Sequence, residues 1–168
     1  MDTLQSHILY IEDHDDTREL VTLVLADANY RVTTASSRKD ALKLAREQPF
    51  DLYILDSWLP DGTGIELCRQ LREFDRGTPI MFLSAAAYDT DKQAAIDNGA
   101  QRYLVKPNDI QKLGYEVNAL ILGTANKQNL VDEVISRSRP ELVPTQEPAS
   151  RSKTLDPESI RTKSFLAS

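Results

Sequence analysis

Asp51-Leu-Tyr-Ile-Leu-Asp56-Ser-Trp-Leu-Pro60-Asp-Gly-Thr-Gly64 decides how the rest of the chain is read. Its first half is a nearly continuous apolar run, the pattern of a strand covered on both faces, and an acid, Asp56, stands at its end. Three more runs share that pattern: His7-Ile-Leu-Tyr-Ile11, Pro79-Ile-Met-Phe-Leu83 and Arg102-Tyr-Leu-Val105. Tyr30-Arg-Val-Thr-Thr-Ala35 alternates and is more polar, so it reads as an edge strand. Between these runs lie amphipathic stretches. Thr17 to Ala28 places Leu20, Val21, Val24, Leu25 and Ala28 on one stripe behind Asp15 or Asp16 as cap. Arg38 to Glu47, Ile65 to Phe74 and Thr90 to Asn98 follow, and Asp109 to Leu122 carries Ile110, Leu113, Val117, Leu120 and Ile121 behind Asn108 as cap. Five strands alternating with five helices imply right-handed crossovers and a doubly wound, five-stranded parallel α/β sheet. Such sheets bind ligands beyond the carboxyl ends of their strands.

The 168 residues suit one domain with an appendage. A formal charge of −6 gives no reason to hold nucleic acid, which is met by a clustered basic face. No apolar run reaches the roughly 18 to 20 residues that span a bilayer. Met1-Asp-Thr-Leu-Gln-Ser-His7 has no basic-then-apolar signal pattern, and the single Cys68 excludes an internal disulfide, so the expected compartment is the cytoplasm. Cys68 itself, three residues from Ile65 and from Leu71, reads as a buried structural thiol.

Composition divides the chain after Gly123. Residues 1–123 hold all six glycines, every Tyr, and 20 acidic against 13 basic side chains. Residues 124–168 hold four prolines, eleven Ser or Thr, and a single aromatic, Phe165. That segment is expected to be largely disordered, because it cannot bury enough apolar surface to offset its ordering entropy. One exception is a short extra helix over Asn126 to Arg137, where Leu130, Val131, Val134 and Ile135 recur at helical spacing.

The strand ends carry the chemistry. Glu12 and Asp13 follow the first strand, Asp56 the third, Ser84 the fourth and Lys106 the fifth. Any one of them alone reads as a cap or turn former. Their coincidence at one sheet edge points to a shared cleft. Three clustered carboxylates repel, and a hard divalent cation such as Mg²⁺ relieves that repulsion. Lys106 and Ser84 then suit further anionic oxygens, and Asp56 is placed as a nucleophile for phosphoryl transfer. His7 and His14 have no Cys or His partner at metal spacing, and His14 reads as a solvated side chain. Gly62-Thr-Gly64 is no nucleotide loop, since neither phosphate-binding glycine pattern is present.

These residues resemble the receiver domain of two-component response regulators, over about residues 5–122. The acidic pair Glu12-Asp13, the segment from Asp56 through Pro60 to Gly64, the step Ser84-Ala85 and Lys106-Pro107 carry the likeness. It implies a single-domain, chemotaxis-regulator-like protein with flavodoxin-like strand order 2-1-3-4-5. By the same resemblance Asp56 is the phosphoacceptor, served by Lys106 and Ser84. Mg²⁺ is held by Asp13, Asp56 and the backbone carbonyl of Trp58, with Glu12 acting through water. Ser84 and Tyr103 form the switch, and the Lys106-Pro107 peptide is cis. The implied donor is the phosphohistidine of a histidine kinase or histidine phosphotransfer protein. Output passes to a downstream protein, with no nucleic acid or membrane partner, from a monomer or a phosphorylation-dependent dimer. No enzymatic turnover is implied beyond self-catalysed transfer and slow autodephosphorylation.

Two positions depart from the commonest pattern: Glu12, where Asp is more usual, and the bulky Trp58 two residues past the acceptor. A rival reading is a pseudo-receiver scaffold that never accepts phosphate; the intact Asp13, Asp56 and Lys106 oppose it. A haloacid dehalogenase-type phosphatase requires a second Asp where Trp58 stands. An effector within the tail is opposed by composition.

Overall fold

The computed structural model describes residues 5–137. In chain order the elements are β1 (His7–Ile11), α1 (Asp15–Asp27), β2 (Arg31–Ala35), α2 (Arg38–Glu47) and β3 (Leu52–Leu55), followed by a hairpin of β4 (Trp58–Leu59) and β5 (Gly62–Thr63). Then come α3 (Gly64–Phe74), β6 (Ile80–Ser84), α4 (Asp89–Asp97), β7 (Arg102–Val105), a 3₁₀ turn at Ile110–Lys112, and α5 (Leu113–Arg137). The main sheet is parallel with order β2-β1-β3-β6-β7, the doubly wound arrangement expected from the alternation of runs and stripes.

Strand periodicity divides the core in two. Leu9, Ile11, Tyr53, Leu55 and Phe82 face one way, against Ala41 of α2 and Leu67 and Leu71 of α3. Ile8, Tyr10, Leu52, Ile54, Met81 and Leu83 face the other, against Val21 and Leu25 of α1 and Val117 of α5. Full burial of each large apolar side chain contributes about 1.5–3 kcal/mol, which explains why the central strands read as continuous apolar runs. The edge strand β2 is half-exposed, as its alternation foretold. Cys68 is buried, and its thiol donates to the Asn98 carbonyl at 3.2 Å. Burial pushes its pKa up to about 11, the condition of an inert structural thiol.

Strand order also sets the site. The chain leaves β1 outward to β2, then crosses back to β3 on the other side of β1, so the crossovers diverge between β1 and β3. Ile11 is in register with Leu55, and the Asp56 amide donates to the Ile11 carbonyl at 3.0 Å. Residues 12 and 56 therefore emerge side by side.

Glycine at position 64 is required by contact. A Cβ there would stand 2.1 Å from the Asp56 carbonyl oxygen and 2.9 Å from the Phe82 ring, so only glycine lets α3 begin this close to β3. Thr63 and Glu66 close a reciprocal capping box over that start. Asp61, at the hairpin tip, accepts the amides of Arg38 and Lys39 at 2.8 and 2.9 Å and so latches the hairpin to the first turn of α2. Burial alone would raise the Asp61 pKa, but these amide bonds outweigh it and hold the carboxyl below its ordinary value.

Several sequence expectations need correction. The hairpin is new, because two-residue strands carry no periodicity to read. The residue before α1 is His14, whose side chain makes no cap bond; Asp15 and Asp16 lie inside the first turn, where carboxylates complement the helix dipole. Asn108 does not cap the last helix: a 3₁₀ turn intervenes, and the Asp109 carboxylate turns back to accept the Val105 amide at 2.9 Å. The helix expected over Asn126 to Arg137 is the unbroken end of α5, which passes through Gly123. Open space surrounds Gly123, and an exposed glycine costs a helix only about 1 kcal/mol. Between Leu113 and Lys127, Leu120 is the last buried residue of α5. The tail expected beyond residue 137 lies outside the described residues.

Candidate functional site

A cleft of about 570 Å³ opens at the carboxyl ends of the strands, and Glu12, Asp13, Asp56, Ser84 and Lys106 all line it. Trp58 forms one wall, while Leu20 of α1 and Ile110 add an apolar rim that the sequence reading did not assign to the site. A second cavity of about 540 Å³ lies at the opposite sheet end, where Arg76, Arg102 and Lys127 contribute cations and no carboxylate lines it among the described residues.

Two of the three acids, Glu12 and Asp56, are buried and held. Asp56 is 7% exposed; Lys106 Nζ stands 3.2 Å from its Oδ1, and the Trp58 amide donates to its Oδ2 at 3.2 Å. Glu12 is 1% exposed and bonds to three donors. Its Oε2 accepts from the Tyr10 hydroxyl at 3.1 Å and from Lys106 Nζ, and its Oε1 accepts the His14 amide at 3.2 Å. Burial first, and then the neighbouring Glu12 charge, push the Tyr10 pKa up, so this phenol acts as a donor. Asp13 projects into the cleft and contacts the His14 ring at 3.0 Å. That hydrogen bond, with the charge of Asp13, raises the His14 pKa. His14 is exposed as expected, yet it is tethered to Asp13 rather than freely solvated.

Arg18 was not singled out from the sequence. One turn into α1, its guanidinium donates to the Glu12 carbonyl at 2.7 Å and the Asp13 carbonyl at 3.3 Å, while pairing with Asp15. It fixes the backbone that aims both acids. Tyr10 was legible in principle, since residues two apart on a strand share a face and Glu12 follows at that interval.

Ser84 closes β6 with its hydroxyl accepting the Ala86 amide at 3.2 Å. Tyr103 stands beside the cleft and is turned inward. Its ring stacks on Phe82 at 5.6 Å and 4°, and its hydroxyl meets Ser57 Oγ at 3.2 Å and the Ala86 carbonyl at 2.9 Å. The Lys106-Pro107 peptide is cis.

The donor set suits a hard divalent cation. Three carboxylates, those of Glu12, Asp13 and Asp56, face one ammonium, that of Lys106, among the described residues of the cleft. Ligand atoms of Glu12, Asp13 and His14 lie within 4.8 Å of one another. Carboxylate oxygen suits Mg²⁺ or Ca²⁺, and the excess of two negative charges matches a dication.

Comparison with known proteins agrees with this geometry. The family model of the response regulator receiver domain matches residues 8–118. The response regulator ArlR of Staphylococcus epidermidis is 38% identical over 125 residues, covering 74% of this chain and 57% of that protein. The chain thus spans a little over half the length of that relative. Among solved structures, the chemotaxis protein CheY4 of Vibrio cholerae is 30% identical with a TM-score of 0.63, covering 69% of this chain and 98% of that one. The receiver domain of Francisella response regulator 1452 is 28% identical with a TM-score of 0.68, covering 71% and 99%. No helix among the described residues is long and apolar enough to cross a membrane. With the doubly wound sheet, the acidic cleft and these likenesses together, the chain belongs to the response regulator receiver domain family.

Proposed function

We propose that the protein is a phosphoacceptor: Asp56 takes a phosphoryl group from a phosphohistidine of a histidine kinase or histidine phosphotransfer protein. One observation carries this reading. Asp56 is a buried carboxylate facing a cleft, with an ammonium on one oxygen, a backbone amide on the other, and two further acids beside it. An Asp56 oxygen attacks phosphorus, the phosphorus–nitrogen bond breaks, and the imidazole leaves with the electron pair. Lys106 is already within reach and turns its ammonium, still charged, from the Asp56 carboxylate to a phosphoryl oxygen. Ser84 donates its hydroxyl proton, which its bond from the Ala86 amide does not use, to another.

Asp13, Asp56 and the Trp58 carbonyl would hold Mg²⁺, with Glu12 contributing through water; the bound ion supplies charge neutralisation between two anionic reactants. Glu12 is a longer arm than Asp, and that length reaches Tyr10 and Lys106. The rearrangement at Ser84 and Lys106 then alters the face made by α4, β7 and α5, and output follows by contact with a downstream protein. Ala95 is the buried residue of α4, so little packing resists displacement of that helix. The chain turns over no external substrate: it transfers a phosphoryl group to itself and loses it slowly.

Intact mass after incubation with acetyl phosphate and Mg²⁺ tests the reading. One added phosphoryl group is expected, lost in Asp56→Asn. An unmodified mass under these conditions, and with a phosphohistidine donor, favours the phosphorylation-independent scaffold instead.

A further inference from the structure

Tyr103 and Ser57 come from strands that are not neighbours. Ser57 follows β3, Tyr103 lies on β7, and β6 runs between them. Leu55, Phe82 and Tyr103 occupy one cross-strand row, and the Tyr103 ring lies flat over Phe82 to reach the far side. Its hydroxyl has one proton and two partners. The Ala86 carbonyl at 2.9 Å can only accept, so Tyr103 donates there and accepts the Ser57 hydroxyl proton at 3.2 Å. The Ala86 amide in turn donates to Ser84 Oγ. A continuous chain of hydrogen bonds therefore links the residue after Asp56 to the loop after Ser84, by way of a half-buried tyrosine. Hydrogen bonds in such chains polarise and strengthen one another.

We infer that Ser57 is a positioning residue for Tyr103, holding its ring inward before any phosphoryl group arrives. Only the consequence for signalling rests on the proposed role of Asp56; the contact itself does not. The residue at position 57 meets the Tyr103 oxygen at 3.2 Å and has to carry a donor, because the Tyr103 proton is committed to the Ala86 carbonyl. Serine supplies that donor. An apolar residue would leave the Tyr103 oxygen with the Ala86 carbonyl alone. The stack on Phe82 and the Ala86 bond remain when the Ser57 hydroxyl is removed, so the ring is expected to redistribute rather than be expelled.

Fluorine NMR of the full chain grown with 3-fluorotyrosine, unphosphorylated, reads this directly, with Tyr103→Phe identifying the resonance. Ser57→Ala is expected to lower the inward-to-outward ratio about fivefold, the effect of one net hydrogen bond. Ser57→Thr, which keeps a hydroxyl, is expected to restore it. A Tyr103 resonance unchanged in Ser57→Ala overturns the inference. Stability by urea unfolding gives a second reading: losses from Ser57→Ala and Tyr103→Phe should be non-additive in the double variant, and additive losses also overturn it. Labelling of the same proteins with acetyl phosphate separates the two ideas. Absent label with a Tyr103 resonance that responds to Ser57→Ala removes the acceptor reading and keeps this one. Normal label with an unresponsive Tyr103 does the reverse.

Discussion

Both ends of the parallel sheet carry carboxylates, and they are used in opposite ways. At the amino end, Asp51 accepts the His7 amide at 2.7 Å, and Asp75 accepts the amides of Gly77 and Thr78 at 3.1 and 3.0 Å and the Tyr53 hydroxyl at 2.8 Å. Asp75 is met by three donors and Asp51 by one. At the carboxyl end, Glu12, Asp13 and Asp56 crowd one cleft and share Lys106. The first arrangement stabilises the fold; the second stores repulsion that a bound cation would relieve. Residue type does not separate structure from function in this molecule. The crowding of three carboxylates around one ammonium does.

The comparison is broken most severely at Asp56. Asp56→Asn is expected to abolish phosphoryl uptake by intact mass while leaving the fold intact, since an amide fills the same space without supplying the nucleophile. Next comes Asp13→Ala. Mg²⁺-dependent quenching of Trp58 is expected to need roughly tenfold more ion or beyond, and urea unfolding without metal should show a protein more stable by about 0.5 kcal/mol, because one repelling charge is gone. At the amino end the same kind of change has the opposite sign: Asp75→Asn is expected to lose about 1–2 kcal/mol in urea and to label normally when folded.

The pH dependence sharpens that contrast. Burial alone would raise the Asp75 pKa, but hydrogen bonds from Thr78, Tyr53 and Gly77 outweigh it and hold the folded value below the ordinary carboxylate range. A depressed folded pKa gives stability that is present above the unfolded value and is lost as pH falls through the folded one. The stability gap between wild type and Asp75→Asn should therefore be full near neutrality and close under acid conditions, as read by urea midpoints across pH. A gap that persists unchanged into acid would place the effect outside the charge of Asp75. The smallest effect is expected at Trp58→Asn, which adds an amide able to orient water and removes a ring that excludes it. Its phosphorylated half-life should shorten roughly two- to fivefold, the scale of one hydrogen bond to the attacking water. Timed loss of label decides it, and an equal or longer half-life assigns Trp58 to packing or recognition.

The sheet was legible because strands buried on both faces have no polar positions to spare, as Leu52–Leu55 and Ile80–Leu83 illustrate. The site was legible because a parallel sheet sends every strand end to one edge, so four short endings suffice to name Glu12, Asp13, Asp56, Ser84 and Lys106. Other features left no such trace. Ser57 and Tyr103 are 46 residues apart and meet only because β6 intervenes with a flat ring. Arg18 reads as one more charged residue on a helix until its reach back to two carbonyls is seen. The cap of α1 was misplaced because the acids that signal a helix start also serve inside the first turn, and Asp15 is taken by Arg18. Gly123 marks a change in composition, but a helix tolerates an exposed glycine and continues to Arg137.

The contact between Gly64 and the Asp56 carbonyl has a consequence for how this sequence can vary. In a saturation library, Gly114 and Gly123 face open space, so many replacements there should be recovered as folded protein. Position 64 has no such latitude: any side chain begins with a carbon 2.1 Å from a backbone oxygen that cannot swing aside. Its only escape is to push α3 away from β3, and with it the hairpin bearing Trp58 and the backbone bearing Asp56. The residue with no chemistry of its own is thereby expected to tolerate less exchange than several that have it, and tolerance profiles of the two kinds of glycine should diverge under selection for folding alone.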